Sequence, residues 1–357
     1  MEWRYVDVGI EDPYTCMAIH EAVMKARAEK LVPNTLIQER YDCKCVFIGY
    51  NQIPIEDLRL DACKALNVKI VRRFTGGGAG YMDSRQLNYA FIADERTPKV
   101  PRDINLCYKI VCMSIIAGLR YLGLSAHFAP FSDIVVSGAK ISGNCQTRGN
   151  GVVLQHGSIL VDFDVDTMSK ILKSTEEKLK SRGVVSPEKK ITWISKELGR
   201  EINIEDVKSS IRLGFEDVFN IKLLQAHLTD QELKYVEDIR KKHVSEEWIF
   251  GKPFLVPGAN AYAIYKAPDG LIRVLARIKE GLIKDIQIDG DFCFKPSNAI
   301  NELMDSLRNV NIKRDKLEKL VGDFFASKNV EVVGVGPHDF LTAITRAIDY
   351  YEKLKLH

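Results

Sequence analysis

Apolar residues recur at helical spacing in several parts of the first 245 positions and form short runs in others. Helical spacing predicts helices over residues 14–31, 54–66, 103–123, 205–219 and 229–243. Short apolar runs bounded by polar residues predict strands at Cys45–Gly49, Val68–Phe74, Leu87–Ala93, Ile134–Val136, Ala139–Ser142 and Val152–Asp162. A further helix begins at Asp166–Leu172, and the chain after it is basic over Lys178–Lys190. This part of the chain therefore mixes strands and helices.

The pattern changes after about Val244. A loop marked by Pro and Gly residues precedes three predicted strands, at Tyr262–Tyr265, Leu271–Lys279 and Leu282–Gln287. Two helices follow near Ser297–Leu307 and Arg314–Ala326, then a strand at Val330–Val335 and a last helix over Phe340–Lys355. Strands followed by helices are typical of a separate α+β domain. We therefore predict two domains, at residues 1–243 and 244–357.

Composition places the chain among globular proteins. Hydrophobic residues make up 46% of its 357 residues and charged residues 28%. The net charge of +3 comes from 51 basic and 48 acidic side chains, a balance too even to indicate a nucleic-acid partner. No uninterrupted apolar run approaches a membrane span, and the charged N-terminus is unlike a signal peptide. We expect a cytoplasmic protein that binds neither nucleic acid nor membrane.

The eight cysteines are scattered and include no C-x-x-C pair. They lie at Cys16, Cys43, Cys45, Cys63, Cys107, Cys112, Cys145 and Cys293. This spacing argues against a disulfide framework or a zinc site. We expect reduced and mostly buried thiols.

A glycine triplet forms the first segment that carries candidate chemistry. Gly76–Gly78 follow a predicted strand that ends in Arg72 and Arg73. Glycines allow backbone N–H groups to approach an anion or a narrow channel, and arginines suit phosphate. The alternative is a flexible turn with two surface arginines. The segment is not a P-loop, because no G-K-[ST] follows it.

Lys140 lies between small residues in the second segment, Ser132–Gln146. A lysine on such a strand or hairpin can reach both a carboxylate and an α-phosphate. Asp133 can hold Mg²⁺ through one carboxylate, as is common at nucleotide sites. The alternatives are a solvated hairpin lysine and a turn aspartate.

The third segment, Leu154–Asp162, reads LQHGSILVD and places His156 and Gly157 at the start of an apolar strand. A single histidine at such a position is more often a hydrogen-bonded structural residue than a catalyst. Taken alone, this segment leaves both roles open.

Together the three segments resemble the lipoate–protein ligase family, within the wider group of biotin/lipoate ligases and octanoyltransferases. Arg72–Asp83 matches the family's R-R-x-[ST]-G-G-G-x-x-x-H-D segment. Asp133, Gly138, Lys140, Ser142 and Gly143 match its N-D-[IL]-x-x-x-G-x-K-[IV]-S-G-x-A segment, and His156–Leu160 matches its H-H-G-[TS]-[IL]-L strand. Weaker matches are Met17–Glu21, Val46–Gln52 and a covering segment from Ser181–Val184 to Ile191–Thr192. The resemblance spans residues 1 to about 245, and the rest resembles the family's accessory domain.

The resemblance implies an α+β fold, with a large catalytic domain of mixed β-sheets flanked by helices and a small α+β accessory domain. It implies a lipoate–protein ligase that uses ATP and Mg²⁺ to form lipoyl-AMP from lipoate, or octanoyl-AMP from octanoate. The acyl group then passes to a lysine of an apo lipoyl carrier domain, such as an oxo-acid dehydrogenase E2, a glycine-cleavage H-protein or a lipoate-binding protein. We expect the ligase to be a monomer.

The resemblance also assigns roles to individual residues. Lys140 would be catalytic, and Asp133 would bind the metal. The residues expected to bind lipoate are Arg72, Gly76, Gly77, Gly78, His156 and Gly157. The residues expected to bind the nucleotide are Arg73, Gly78, Tyr81, Asp83, Asp133, Lys140, Ser158 and Lys190.

The chain departs from the family pattern at four places. Met82 replaces a histidine, Cys145 an alanine, Ser132 an asparagine, and Arg85-Gln86 a Gly-Asn pair. These departures affect positions expected to contact the acid and the nucleotide.

Three other functions remain open. An octanoyltransferase would carry the acyl group as a cysteine thioester without ATP, and Cys145 is the cysteine within the motif segments. However, residues 128–133, where one transferase type resembling this family has its nucleophile, contain no cysteine. A non-catalytic lipoyl-adenylate-binding protein would keep the glycines but lose the charged residues. A biotin ligase would carry a G-R-G-R segment, which is absent.

Overall fold

The computed structural model describes residues 2–129, 132–173, 191–251, 256–267, 270–296, 298–327 and 330–355. Its strands are β1 (Glu2–Glu11), β2 (Thr35–Tyr41), β3 (Cys45–Ile48), β4 (Lys69–Arg72), β5 (Gly80–Met82), β6 (Gln86–Asp94), β7 (Ala126–Ala129), β8 (Asp133–Val136), β9 (Ala139–Gly149), β10 (Val152–Leu160), β11 (Lys222–Gln225), β12 (Ala261–Lys266), β13 (Leu271–Lys279), β14 (Leu282–Gly290), β15 (Cys293–Lys295) and β16 (Glu331–Val333).

The helices of the described residues are α1 (Pro13–Ala28), α2 (Pro54–Asp57), α3 (Leu60–Ala65), α4 (Ile104–Tyr121), α5 (Val165–Ile171), α6 (Ile194–Leu198), α7 (Ile204–Phe219), α8 (Asp230–His243), α9 (Glu246–Phe250), α10 (Ala299–Leu307), α11 (Arg314–Ser327) and α12 (Pro337–Lys355). Side-chain caps begin several of them. Asp12 caps α1, Asp103 caps α4, and Thr229 with Glu232 forms a capping box at α8.

Eight strands form a central sheet in the order β11-β1-β2-β6-β10-β9-β8-β7. β1 is parallel to both of its neighbours, and the other pairs are antiparallel. Because successive strand residues face opposite sides, the sheet has two buried faces. Tyr89 and Phe91 lie on one face, in a core with α4 and α7. Ile37 and Ala90 lie on the other, beneath α1, which α8 covers in turn.

A smaller sheet lies beside the central one and positions the glycine segment. Its strand order is β4-β3-β5, with β3 parallel to β4 and antiparallel to β5. The loop between β4 and β5 contains Gly76–Gly78. Both strands that flank the loop are therefore fixed to β3.

The C-terminal residues build a core of their own. Strands β12, β13 and β14 form an antiparallel sheet that packs against helices, and β15 pairs with β16. One buried cluster contains only residues from 261 to 351, among them Ile272, Leu303 and Phe340. Arg273 of β13 contacts Asp57 of α2 at 2.9 Å, and both are buried. This ion pair links the C-terminal unit to the rest of the protein.

The predicted α+β fold class is confirmed, with mixed sheets flanked by helices and a C-terminal α+β unit. The helix predicted over 54–66 is two short helices, because Leu58 adopts an extended conformation. β1 and β2 were not predicted. The domain boundary at 243/244 stays a prediction. α4 has the length and apolar composition of a membrane span, but 56% of it is buried in the protein, as in a core helix.

The contact between α4 and α7 gives a stability test. A Cβ at Gly214 would meet the Ser114 carbonyl oxygen and lie 2.5 Å from the Gly118 nitrogen, so the helix backbones leave no room for it. We predict that Gly214→Ala lowers the free energy of unfolding by about 1–3 kcal/mol through overpacking. Chemical denaturation measures the change.

Gly322 in α11 is the matched control, because no atom lies within 4 Å of its Cβ position. Gly322→Ala should raise stability by about 0.4–1 kcal/mol, since alanine is the better helix former. Equal effects at Gly214 and Gly322 would contradict the close packing of α4 and α7.

Candidate functional site

A cavity opens on the face of the central sheet that α1 covers. It holds about 370 Å³ of space not occupied by atoms, part of it open to solvent. Its apolar walls are Met17, Tyr41, Phe47 and Met82, and its polar walls include His20, Glu39, Arg73, Asn88, His156 and Ser158. Apolar walls with a few polar groups suit a ligand with a long apolar part.

Strand pairing places five residues in one row along this cavity. Asp133 of β8 pairs with Gly143 of β9, which pairs with Ser158 of β10. Ser158 pairs with Asn88 of β6, and Asn88 pairs with Glu39 of β2. Directly paired residues face the same side of a sheet. Gly143, Ser158, Asn88 and Glu39 line the cavity, and Asp133 continues the row just beyond Gly143.

Lys140 lies at the Asp133 end of the row. Its Nζ is 2.6 Å from Asp133 Oδ1, and both side chains are partly exposed. A Cβ at Gly143 would lie 2.7 Å from Lys140 Nζ, so the glycine makes room for the lysine. A flexible, solvent-accessible ammonium group next to a cavity can bind an anion at its mouth. Lys140, Asp133 and Ser158, all expected at the nucleotide, are thus brought together.

The glycine loop passes close to the cavity. Gly77 has φ of +93°, and its carbonyl oxygen fills the place of a side chain at Gly49. A Cβ at Gly77 would lie 2.8 Å from Cys145 Sγ. A Cβ at Gly76 would lie 2.6 Å from Cys293 Sγ of the C-terminal unit. The loop needs glycines because it is in close contact with Gly49, Cys145 and Cys293, which come from three different segments of the chain.

Arg73 holds the glycine loop from inside. The side chain is buried, and its Nη2 donates to the carbonyl oxygens of Gly76 at 3.1 Å and Gly78 at 2.9 Å. Arg73 also lines the cavity. Its observed partners are backbone carbonyls, and its expected contact with a nucleotide stays a prediction.

His156 joins the glycine loop to β10 through buried hydrogen bonds. Its Nε2 lies 2.8 Å from Thr75 Oγ1, and its Nδ1 lies 3.2 Å from His20 Nδ1. Burial keeps the pKa of His156 well below its usual value, and the neighbouring His20 and Arg73 lower it further. The ring is therefore neutral at physiological pH. Next to it, Gly157 has no room for a side chain, since a Cβ would lie 2.6 Å from the Gly143 oxygen.

Arg72 differs from its expected role in acid binding. Its Nη1 donates to the carbonyl oxygens of Gly49, Tyr50 and Gln52, at 2.7–3.1 Å. Its Nε donates to those of Trp248 and Ile249 in α9. Burial lowers the pKa of Arg72 to about 10. The guanidinium is occupied by the junction with the C-terminal unit and does not line the cavity.

Tyr81 and Asp83 form a local network away from the cavity walls. The Tyr81 hydroxyl donates to Asp83 Oδ2 at 2.9 Å, and Arg85 Nη2 donates to the same oxygen at 2.6 Å. Arg85 occupies a position where the family has glycine, so a family member with that glycine could not form this ion pair with Asp83. A nucleotide contact for Tyr81 and Asp83 stays a prediction.

Lys190 and the expected covering segment at Ser181–Val184 lie outside the described residues. Where the described chain resumes, Ile191 forms a parallel bridge with Lys140, and the Thr192 N–H donates to the Lys140 carbonyl oxygen at 2.9 Å. The end of the covering segment therefore lies beside Lys140.

Glu39 closes the far end of the row and belongs to none of the sequence motifs described above. Its side chain is 1% exposed. His20 Nε2 lies 2.9 Å from Glu39 Oε1, but the ring is not oriented to form a hydrogen bond. Within the described chain, neither carboxyl oxygen of Glu39 has a hydrogen-bond partner. The available signal was weak, because Thr35–Tyr41 reads TLIQERY and mixes apolar residues with two charged ones.

The family comparison identifies both parts of the chain. Residues 12–216, more than half of the 357 residues, match the model described as lipoyl protein ligase A/B catalytic domain. Residues 257–344 match the model described as bacterial lipoate protein ligase C-terminus.

Similar proteins include both transferases and ligases. An octanoyltransferase LipM from Geobacillus kaustophilus is 34% identical over 272 residues, covering 70% of this chain and 98% of the relative. A bipartite lipoate protein ligase from Thermoplasma acidophilum, studied with its E2 lipoyl domain, has a TM-score of 0.62 at 26% identity and covers 72% of this chain and all of that one. A lipoate-protein ligase A bound with ATP has a TM-score of 0.62 at 25% identity, and the match covers 70% of this chain and 99% of the ligase chain.

His156 gives a pH test of the site. The folded protein holds the ring neutral, whereas the unfolded chain binds a proton below about pH 6.5. The unfolded state then binds more protons, so the free energy of unfolding falls on acidification by up to about 1.4 kcal/mol per pH unit from this group. We predict a shallower fall between pH 6.5 and 5 for His156→Gln, measured by denaturant unfolding. An unchanged slope would show that His156 does not titrate as its burial requires.

Proposed function

This chain belongs to the lipoyl protein ligase A/B family, and from that premise we propose that it is an ATP-dependent lipoate–protein ligase. It activates a free medium-chain acid as an acyl-adenylate. It then transfers the acyl group to a lysine of an apo lipoyl carrier domain. The observation that carries this proposal is the Lys140–Asp133 pair at the mouth of a cavity with largely apolar walls.

The first reaction joins two anions, because the carboxylate of the acid attacks the α-phosphate of ATP and expels pyrophosphate. A cation is needed where the two approach, and Lys140 supplies it with Nζ above Gly143. With the carboxylate at Lys140, the acyl chain extends along the row past Ser158 and Asn88. The apolar walls then cover the chain and keep water from the mixed anhydride.

In the second reaction the carrier lysine attacks the acyl carbon, an amide bond forms and AMP leaves. The reacting carbon lies at the open end of the cavity, because Lys140 and Asp133 are partly exposed there. A lysine on a second protein can therefore reach it. The ligase from Thermoplasma acidophilum studied with an E2 lipoyl domain supports this class of partner.

Asp133 fits the expected magnesium site. Mg²⁺ at nucleotides is held by one or two carboxylates with phosphate oxygens and waters. Asp133 provides one carboxylate beside Lys140, and the ion pair uses its Oδ1. In the part of the chain that the structure describes, no group of three or more acidic, His or Cys residues is arranged to hold a metal alone. Bound Mg²⁺ would offset the phosphate charge during adenylation.

Two features favour the ligase over the transferase. The chain carries a match to the C-terminal domain of lipoate protein ligases. By contrast, the match to the octanoyltransferase relative uses 70% of this chain and already covers 98% of the relative. The relative is therefore too short to include a counterpart of the whole C-terminal domain. Residues 128–133 also contain no cysteine that could carry a thioester.

Lys140 gives the direct test. We predict that Lys140→Met lowers ATP-dependent acylation of an apo lipoyl domain by about 10²–10³-fold, the usual cost of removing one charge-stabilising group. Intact mass of the carrier, with lipoate or octanoate and Mg-ATP, measures the rate. Lys170→Met is the matched control, because Lys170 forms an ion pair of the same length with Asp166 outside the site. Equal losses for both variants would contradict the role of Lys140.

Octanoyl transfer through a thioester is the second candidate, because relatives named octanoyltransferase are 29–34% identical to this chain and are covered almost completely by it. Cys145 would be its nucleophile, since it lines the cavity beside His156. Yet both ring nitrogens of His156 face other groups, Thr75 and His20. Among the described contacts, none pairs Cys145 with a base.

Cys145 separates the two candidates. We predict that Cys145→Ser keeps most of the ATP-dependent acylation, because the ligase reaction needs no thiol. Loss of all transfer in this variant would favour the transferase, if the parent protein also acylates the carrier from an octanoyl thioester without ATP. The carrier mass assay measures both reactions.

A further inference from the structure

We propose that Glu39 is the recognition group of a subsite for the distal end of the acyl chain. This subsite selects acids whose tail donates hydrogen bonds, such as a dithiol or a terminal hydroxyl, over plain alkyl acids. The inference rests on the proposed function, because it takes Lys140 as the marker of the carboxyl end.

The position of Glu39 fits the end of an eight-carbon chain. Glu39 is two strands beyond Ser158, through Asn88 of β6. Neighbouring strands are about 4.8 Å apart, so Glu39 lies about 10 Å from Ser158 across the sheet. Lys140 Nζ lies at Gly143, one strand further from Glu39, so about 14 Å separates the two groups. Hydrogen bonds of about 3 Å at each end leave about 8–9 Å, which is comparable with the length of an extended octanoyl chain. An acid held at Lys140 therefore places its tail at Glu39.

Glu39 has free hydrogen-bonding capacity where the tail arrives. The side chain lines the cavity and is 1% exposed. Among the described residues, neither of its carboxyl oxygens accepts a hydrogen bond. A buried acceptor without a donor costs free energy, and a ligand that supplies the donor recovers it. An alkyl tail covers the same oxygens and supplies nothing.

The neighbouring groups do not satisfy Glu39 in place of a ligand. His20 Nε2 is close to Oε1, at 2.9 Å, but it is misaligned. The two nitrogens of His156 are engaged by His20 and Thr75. Asn88, the cross-strand neighbour of Glu39, has a buried Nδ2 that forms no hydrogen bond within the described chain, so it does not donate to Glu39 either. Met17 and Phe47 contribute apolar wall to the cavity. The subsite therefore combines an apolar surround with acceptors that need a donor, an arrangement that discriminates strongly between tails.

Two matched pairs of acids test the proposal on the full chain. Octanoate and 8-hydroxyoctanoate differ only in a terminal hydroxyl. Reduction of lipoate breaks its S–S bond, opens the ring and creates two distal S–H donors. Calorimetric titration of each free acid, under reducing conditions for the dithiol, gives its affinity without any turnover. We expect the donor-bearing member of each pair to bind about tenfold more tightly, the usual effect of satisfying one buried acceptor.

Glu39→Leu removes both acceptor oxygens and keeps a similar side-chain volume. The two acids of each pair should then bind this variant with about equal affinity. Glu29→Leu, at the exposed end of α1, is the control and should keep the preferences of the parent. If thermal unfolding shows that Glu39→Leu is not folded, Glu39→Gln replaces it. The amide keeps one acceptor and adds a donor, so the preferences should fall in part.

Equal affinities within both pairs for the parent protein, or preferences unchanged in the folded Glu39 variant, would overturn the proposal. Failure of the proposed function looks different. In that case the acids bind with the expected preferences, but no carrier is acylated with ATP.

Discussion

Antiparallel pairing of β8, β9, β10, β6 and β2 sets Asp133, Gly143, Ser158, Asn88 and Glu39 side by side on one face of the central sheet. A slip of one residue in any strand would turn its member of the row to the α4 face. The buried aromatic residues on that face, Tyr89 and Phe91 among them, prevent such a slip. The register that buries the core therefore also fixes the distance between the two ends of the cavity.

The junction between the two parts of the protein depends on two arginines. Arg72 binds backbone oxygens of α9, and the Trp248 indole N–H donates back to the Arg72 oxygen at 3.0 Å. Arg273 of β13 reaches Asp57 at 2.9 Å. Any separation of the C-terminal unit from the rest of the protein would have to break these contacts. Both are polar, so water can replace the lost partners once the surfaces separate.

Local signals explain what could be predicted from the sequence. The glycine loop, Lys140 and His156 lie in segments that contain glycines with no room for a side chain, so each segment has a recognisable sequence pattern. The structure brings these segments to one cavity. β2 was missed because its buried residues include Glu39, which interrupts the apolar pattern that predicts a strand. The role of Arg72 was missed because its partners on α9 are about 176 positions away in the sequence. A failure of local rules at a buried charge is typical of a functional site.

The central claim is that this chain activates a free acid through an adenylate. The most direct measurement is mass spectrometry of the small molecules formed when the full-length protein, a medium-chain acid and Mg-ATP are incubated without any carrier. The account predicts an acyl-adenylate and pyrophosphate in equal amounts. An absence of adenylate, together with an octanoyl group attached to Cys145 after incubation with an octanoyl thioester, would contradict it.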